Sequence, residues 1–210
     1  MMRDRFLQKT SMLVLLISVL LVGCGSSPPS TEFYTLNSLG SMTQQTQPLN
    51  ADQNIAIGIG PVQIPQILDR PQIVTRTGPN KLRVDEFHRW AGPLKAGFAQ
   101  VLAENIALLL ATDRVVVYPW EIDFKPHYRI ALDIRYFEGQ LGKNVLLDVV
   151  WRVAGQEGQK IQTVKTSVIK EPLSAPDYDA LVAAKSQAIA RLSREIAQEI
   201  QKLQAGGESQ

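Results

Sequence analysis

The stretch YRIALDIRYF, residues 128–137, decides the fold of this chain. Apolar side chains recur there at every second position, and charged side chains fall between them. The apolar positions are Ile130, Leu132, Ile134 and Tyr136. This period of two is typical of a β-strand with one buried and one exposed face. Arg129, Asp133 and Arg135 are expected on the exposed face.

Two further strands are predicted directly downstream, at residues 145–153 and 160–169. Asp148 and Arg152 interrupt the apolar run of the first, and the turn GQEG at 155–158 leads into the second. Three consecutive strands with short connections favour an antiparallel meander that has one solvated face.

A predicted helix begins after Pro93, a residue that suits the first turn of a helix. The apolar residues of this segment are Leu94, Phe98, Val101, Leu102, Ile106, Leu109 and Leu110. Alanines fill much of the remaining surface, and a helix this apolar is usually buried on more than one side. Its second contact is either another layer of the same domain or a neighbouring subunit.

The last helix is predicted from about residue 177 to about residue 203. Its apolar positions, three or four apart, are Leu181, Ala188, Ile189, Leu192, Ile196, Ile200 and Leu203. The opposite side is predicted to be polar and to carry Lys185, Arg191, Arg194, Glu195, Gln198, Glu199 and Lys202. This pattern is that of an amphipathic helix that covers one face of a sheet.

Shorter strands precede the meander. They are predicted at 33–36, 54–60 and 115–118, the last of these in the core because its valines are β-branched, with a hairpin formed by 72–77 and 81–85. Small residues alternate with Ile in 54–60, which suggests close approach by a helix or a second backbone; residues 40–53 are polar and predicted to be a loop. Two main helices and about seven strands in this order predict a single α+β domain with a mixed, mostly antiparallel sheet.

The N-terminus has the three-part plan of a secretory signal. Arg3, Arg5 and Lys9 precede an apolar run at 12–22, which is shorter than the ~20 residues of a membrane span. The tetrapeptide LVGC at 21–24 resembles the lipobox of bacterial lipoproteins. We therefore expect a signal peptide at 1–23, an acylated Cys24 with a flexible tether at 24–31, and a folded domain at 32–210. The alternatives are an uncleaved anchor and a secreted protein whose cysteine is incidental.

The charge balance disfavours nucleic acid as a partner. Residues 1–23 hold three basic and one acidic residue, which leaves 19 of each sign in the remaining 187 residues. Nucleic-acid binding requires clustered Lys and Arg, and no long basic run is present. Cys24 is the only cysteine, so an acylated chain can form no internal disulfide.

The sequence contains no recognisable catalytic or metal-binding pattern. His88 and His127 are far apart, and neither has a Cys, His or carboxylate at the spacing of metal ligands. Neither a Gly-x-Ser-x-Gly turn nor a phosphate-binding glycine loop is found. The sequence therefore predicts a protein that is not an enzyme and that uses no cofactor.

The pair Arg89-Trp90 has two interpretations. In the first, Trp90 packs under the helix that follows, and Arg89 pairs with a carboxylate at the end of the sheet. In the second, the pair is an exposed anchor for a partner protein, because Trp and Arg are enriched at interface hot spots.

Two segments support a family resemblance. ILDRPQIV at 67–74 and RWAGPL at 89–94, the latter at the start of a helix, resemble the PqiC/YmbA-type lipoproteins. These proteins are auxiliary components of ABC-type and MCE-type (paraquat-inducible) transport systems. Tyr34-Thr35-Leu36, Trp151 and the closing amphipathic helix support the resemblance, which covers essentially the whole mature chain. Gly92 departs from the family pattern, in which a larger and often acidic residue is expected.

The resemblance implies a non-catalytic subunit anchored on the periplasmic face of the outer membrane. It would assist an MCE-domain membrane protein in moving lipid between the two membranes and so support envelope integrity. Such lipoproteins are retained at the inner membrane when Asp follows the cysteine, and here Gly25 follows it. Asp69, Arg70, Arg89 and Trp90 are the candidate partner-binding residues. The alternatives are a periplasmic lipid-binding carrier, a general envelope-assembly lipoprotein and an envelope hydrolase; the apolar first helix also permits a homo-oligomer.

Overall fold

The computed structural model describes residues 30–42, 47–49, 54–155 and 161–207. The predicted signal peptide, Cys24 and nearly all of the tether lie outside the described residues. So do parts of the predicted loop at 40–53 and of the turn at 155–158.

Eight strands and three helices make up the described domain, in the order of an α+β fold. The strands are β1 Glu32–Tyr34, β2 Ile57–Gln63, β3 Gln72–Gly78, β4 Lys81–Trp90, β5 Val115–Val117, β6 Tyr128–Gln140, β7 Asn144–Ala154 and β8 Ile161–Pro172. The helices are α1 Leu39–Met42, α2 Leu94–Leu110 and α3 Tyr178–Gly207. The predicted fold class is confirmed, and the short α1 lies where the sequence suggested a loop.

All eight strands belong to one mixed sheet. Strands β6, β7 and β8 form the predicted antiparallel meander, with ladders that run nearly their whole length. The β3–β4 hairpin is also antiparallel. Strand β1 runs parallel to β4, and β2 runs parallel to both β5 and β6. Strand β5 was expected in the core but is half-buried, because it lies at an edge with only β2 beside it.

Strand β6 is the point at which the sheet forks. One of its edges pairs with β7 from end to end. On the other edge, β2 pairs with its first half as far as Asp133, and β3 meets it at Gly139. Between these two contacts no described strand lies beside β6 on this edge. Backbone groups there need partners of another kind.

A β-bulge in β6 changes which aromatic residue enters the core. The register with β7 shifts between Ile134 and Tyr136. An extra residue in one strand reverses the alternation of faces beyond it. Phe137 is therefore fully buried, whereas Tyr136, which was predicted on the apolar face, is 46% exposed. The prediction was wrong for Tyr136 because a strict period of two cannot anticipate a bulge.

Helix α2 is buried on two sides by the domain itself. It contacts α3 on one side and β2 and β5 on another. Of the two partners left open by the sequence, the domain's own layers account for its apolar surface. Helix α3 packs across β6, β7 and β8, and the Asp177 carboxylate caps its start by accepting from the Ala180 N–H at 2.8 Å. No helix in the described part of the chain is long and apolar enough to span a membrane.

Lys185 of α3 is the main exception to the predicted polar face. It is 1% exposed, and its Nζ donates to the Phe137 carbonyl at 2.5 Å. That carbonyl lies in the forked stretch of β6, where one side has no strand from the described residues. Nζ also lies 3.9 Å from the centroid of the Phe137 ring. Desolvation lowers the pKa of Lys185 to about 7, although Glu138 opposes the shift.

The small residues of β2 make room for aromatic rings, not for a helix or a second backbone as the sequence suggested. A Cβ atom at Gly58 would lie 2.7 Å from the Trp120 indole. One at Gly60 would lie 2.7 Å from the Tyr118 Cβ. The close approach was therefore correctly anticipated, but the approaching groups are side chains from the segment after β5.

Candidate functional site

An apolar cavity of about 950 Å³ opens at the start of α2. Its walls come from the end of β1, the ends of β2 and β5, and the first turns of α2. The apolar lining includes Leu36, Ile59, Val62, Leu94, Val101 and Val117. Polar side chains at the lining are few, among them Asp69, Lys95 and Glu104. The volume is within the range of sites that bind small molecules or apolar segments.

Backbone hydrogen bonds bring three distant segments together at this cavity. The Trp90 N–H donates to the Pro71 carbonyl at 2.7 Å, and the Ala91 N–H donates to the Tyr34 carbonyl at 2.9 Å. Strand pairing adds Tyr34 opposite Trp90 and Gln72 opposite Arg89. The segments at 34–36, 67–74 and 89–94, which carry the family resemblance, therefore form one continuous structure.

The four candidate partner-binding residues have different positions. Trp90 is 6% exposed and lines the cavity. Its side chain is therefore packed, as the first interpretation of the Arg89-Trp90 pair expected, and does not project into solvent. Asp69 is exposed and also lines the cavity, whereas Arg70 and Arg89 are half-buried and lie outside its lining. Partner binding by these residues stays a prediction.

The predicted carboxylate partner of Arg89 is not found among the ion pairs of the described residues. Arg89 lies between Phe33 of β1 and Gln72 of β3 in the sheet. The first interpretation is therefore correct in placing Trp90 in the packed interior, but its predicted ion pair between Arg89 and a carboxylate is not found among the described residues.

A polar aromatic cluster next to the cavity was missed by the sequence analysis. His88 stacks on Tyr178 with 3.9 Å between ring centroids, and its Nδ1 lies 2.8 Å from the Tyr34 hydroxyl. The Tyr34 hydroxyl donates to Glu32, and that of Tyr178 donates to Asp85 at 3.1 Å. These contacts fasten β1 and the start of α3 onto β4. Tyr34 and His88 are 54 positions apart and Asp85 and Tyr178 are 93 apart, so sequence spacing gave no signal.

The tyrosines of this cluster are held in their neutral form. Burial, together with the hydrogen bond to Asp85, raises the pKa of Tyr178 to about 12. Burial and the bond to Glu32 likewise raise the pKa of Tyr34. Desolvation acts against ionisation of Asp85, but the N–H groups of Phe87 and His88 donate to it and hold its pKa below the ordinary value. Phenols with raised pKa values do not ionise near neutral pH, which fits a structural role.

The second histidine also has a structural partner. His127 Nδ1 accepts the Ala56 N–H at 2.9 Å and so fixes the segment before β6 to the start of β2. Across the described ranges, no group of three or more His, Cys, Asp or Glu side chains is arranged to hold a metal ion.

A family model described as the ABC-type transport auxiliary lipoprotein component matches residues 34–197. The chain belongs to this family. The match includes β2 to β8, all of α2, most of α3 and every segment that lines the cavity. The resemblance identified from the sequence is thereby confirmed, and both motif segments of this auxiliary lipoprotein lie within the match.

Solved structures show the same fold at low sequence identity. A crystal structure from Xanthomonas campestris is 18% identical, with a TM-score of 0.68 over 85% of this chain and 100% of that one. A second, described as an uncharacterized protein, is 19% identical, with a TM-score of 0.66 over 81% of this chain and 99% of that one. No match was found among curated proteins.

Gly92, the residue that departs from the family pattern, lies at an open position in this auxiliary lipoprotein. Gly92 is exposed in the turn between β4 and α2, and a Cβ atom there would meet nothing within 4 Å. The position could hold the larger residue expected from the family without displacing a neighbour. Its side chain would lie at the cavity mouth, because Gly92 belongs to the cavity lining.

Proposed function

We propose that this auxiliary lipoprotein is a non-catalytic subunit of an MCE/ABC-type intermembrane lipid transport system. It is anchored through acylated Cys24 to the periplasmic face of the outer membrane, and its domain binds an MCE-domain membrane protein. The proposal extends the family assignment, which identifies a lipoprotein component of ABC-type transport. It also extends the lipobox resemblance at residues 21–24.

The observation that carries the proposal is the convergence of the motif segments on one apolar cavity. A concave apolar surface with few polar groups is typical of a binding site. The cavity is formed between secondary-structure elements that hydrogen bonds hold in place, so it is present before an occupant arrives. In the proposed complex an apolar segment of the partner enters the cavity, and exposed Asp69 lies at its edge.

Filling the cavity tests the docking part of the proposal. Ala96 is exposed in the first turn of α2 and lines the cavity. The Ala96→Trp variant is expected to weaken capture of the MCE-domain protein at least about tenfold, because a displaced apolar contact of ~1.4 kcal/mol corresponds to that factor. Affinity would be measured with the two purified membrane proteins in detergent.

The matched control is Ala183→Trp, an exposed alanine on α3 that does not line the cavity. It introduces the same side chain and is expected to leave the affinity unchanged. Equal affinities for wild type, Ala96→Trp and Ala183→Trp would show that the cavity is not the docking site.

Removing the thiol tests the anchor. The Cys24→Ala variant is expected to fractionate away from the outer membrane and to make cells as sensitive to detergent as a full deletion does. One acyl chain binds a membrane only marginally, so the several chains of a lipoprotein are needed for stable attachment. A variant that loses the membrane fraction yet protects cells as well as wild type would contradict the need for tethering.

The apolar lining also supports a second function, that of a lipid-binding carrier. In this case the cavity holds an acyl chain. Wild type and Ala183→Trp would then co-purify with phospholipid detectable by mass spectrometry, and Ala96→Trp would carry several-fold less. Protein prepared from membranes without any bound phospholipid would count against the carrier function.

A further inference from the structure

Strand β8 is a long open edge of the sheet. It spans Ile161–Pro172 and pairs with β7, with no strand on its other side in the described part of the chain. The other two terminal strands, β1 and β5, are only three residues long. Native proteins usually protect long edges, because unpaired N–H and C=O groups there can bind another strand.

The exposed side chains of β8 are arranged symmetrically around one residue. Val164 is 59% exposed and Val168 is 66% exposed, on the face of the sheet opposite to α3. Thr166 lies midway between them. On the other face, Ser167 and Ile169 are buried beneath α3. A strand with exposed valines two residues either side of a centre is complementary to an antiparallel copy of itself.

The backbone of the same residues points outward. The Leu173 N–H donates to the Lys143 carbonyl at 3.0 Å, which makes 143 and 173 a hydrogen-bonded pair of the β7–β8 ladder. Hydrogen-bonded and non-hydrogen-bonded pairs alternate in an antiparallel ladder. The pairs Asp148–Val168, Val150–Thr166 and Arg152–Val164 are therefore of the second kind. The N–H and C=O groups of Val164, Thr166 and Val168 face away from β7.

We propose that β8 binds β8 of a second copy of this chain, antiparallel and centred on Thr166. In this register Val164 of each chain lies opposite Val168 of the second copy, and the outward N–H and C=O groups of Val164, Thr166 and Val168 find partners. Gln162 lies at a β-bulge of the β7–β8 ladder, so the regular part of the interface is formed by Val164, Thr166 and Val168. Their three residue pairs would exchange about six hydrogen bonds, within the range for a specific interface.

Charge also favours this register. Lys165 lies opposite Ser167 of the second copy, whose hydroxyl is bonded to Glu195 within its own chain, so a cation approaches a carboxylate. A register centred on Lys165 would instead place two lysines opposite each other. One centred on Val168 would leave Val164 opposite Pro172. The Thr166 register pairs each exposed valine with a valine and avoids facing like charges.

A single cysteine at the symmetry centre tests the proposal directly. Thr166→Cys in the full-length chain, purified in detergent and mildly oxidised, is expected to give a disulfide-linked dimer on a non-reducing gel. Cα atoms of a hydrogen-bonded antiparallel pair are ~5.5 Å apart, within the range of a disulfide. Wild type is treated in the same way as a control, because any dimer that it forms must be cross-linked through Cys24, the one native cysteine.

Val168→Cys is the matched control. In the proposed register the two introduced thiols would be offset by four residues, or roughly 13 Å along the strands, which is too far for a disulfide. Efficient cross-linking of Thr166→Cys with none of Val168→Cys supports the register. Equal cross-linking of both variants, or of neither, overturns it.

A proline at the same position provides a test in solution. Thr166→Pro removes an N–H that β7 does not use, and proline is tolerated at such an edge position. Light scattering is expected to give the mass of a dimer for wild type and of a monomer for Thr166→Pro, with the same circular dichroism spectrum. A monomeric wild type at ~100 μM, or a variant that remains dimeric, would contradict the proposal. These outcomes do not depend on the cavity, the anchor or the transport partner.

Discussion

The Lys185→Met variant is expected to be more stable than wild type near pH 7, by roughly 1–4 kcal/mol in free energy of unfolding. Lys185 is almost completely buried, and burial lowers its pKa from 10.5 to about 7. The difference between these two pKa values corresponds to roughly 4–5 kcal/mol. Methionine has a similar shape and requires no desolvation, but it leaves the Phe137 carbonyl without its donor, at a cost of ~1–3 kcal/mol.

The advantage of Lys185→Met is expected to reverse at high pH. Below pH 7 both the folded and the unfolded wild type carry the proton, so the full cost of burying the charge is present. Between pH 7 and 10.5 the unfolded chain binds the proton and the folded chain does not, so the stability of wild type rises with pH. Near pH 10.5 that cost has disappeared, and the variant, which lacks the hydrogen bond to Phe137, is the less stable protein.

Urea denaturation of both proteins at several pH values from about 6 to about 10 measures this crossover. Lys202→Met, which changes an exposed lysine on the same helix, is the control and is expected to follow wild type at every pH. A stability difference between Lys185→Met and wild type that does not vary with pH would show that Lys185 is not buried as a desolvated amine.

The Trp151→Ala variant is expected to lose ~3–5 kcal/mol in free energy of unfolding. Trp151 of β7 is 1% exposed and lies under α3, so truncation leaves a cavity among close-packed side chains. Its indole N–H donates to the Ser167 hydroxyl at 2.8 Å, and that hydroxyl donates to Glu195. The substitution therefore removes both a large apolar contact and a hydrogen bond that links β7 to β8.

Trp151→Phe separates these two contributions. It keeps most of the ring volume and removes the N–H, and since Ser167 retains Glu195 as a partner, a loss of ~1–2 kcal/mol is expected. Both values would be obtained from urea midpoints with an unchanged denaturant dependence. A loss below ~1 kcal/mol for Trp151→Ala would mean that the core around β7 is much less tightly packed than the structure describes.

The regular part of the fold was predictable from the sequence. The meander follows from residues 128–169, and both long helices follow from their apolar spacing, because local periodicity reports which face of an element is buried. The β3–β4 hairpin follows from the turn residues at 78–80. These features depend on neighbours in sequence.

The predictions that failed concern features that are set by residues distant in the sequence. The bulge in β6, which buries Phe137 where Tyr136 was predicted, is set by pairing with β7. The parallel pairs of β1 and β2 join segments more than 50 residues apart. Lys185 falls on the predicted polar side of α3, yet the forked sheet presents it with a carbonyl to bind. An isolated charged residue in a helix pattern gives no sign of such a partner.

The candidate site shows the same division. The motif residues at 67–74 and 89–94 could be singled out from the sequence, and the structure places Asp69 of the first segment and residues 90–94 of the second in the lining of one cavity. The buried position of Trp90 was one of two interpretations. The cluster formed by Tyr34, His88 and Tyr178 could not be anticipated, since its members come from three elements that only the fold brings together.

The attachment of β1 has a mechanical consequence. Any tension applied to the chain before Thr31 is transmitted first to β1, which is joined to β4 by only three residue pairs and to α3 through the tilted rings of Tyr34 and Tyr178. Tyr34 and Leu36 also belong to the cavity wall. Detachment of β1 would therefore remove part of the cavity wall, so strain along the chain before Thr31 is expected to oppose occupancy of the cavity.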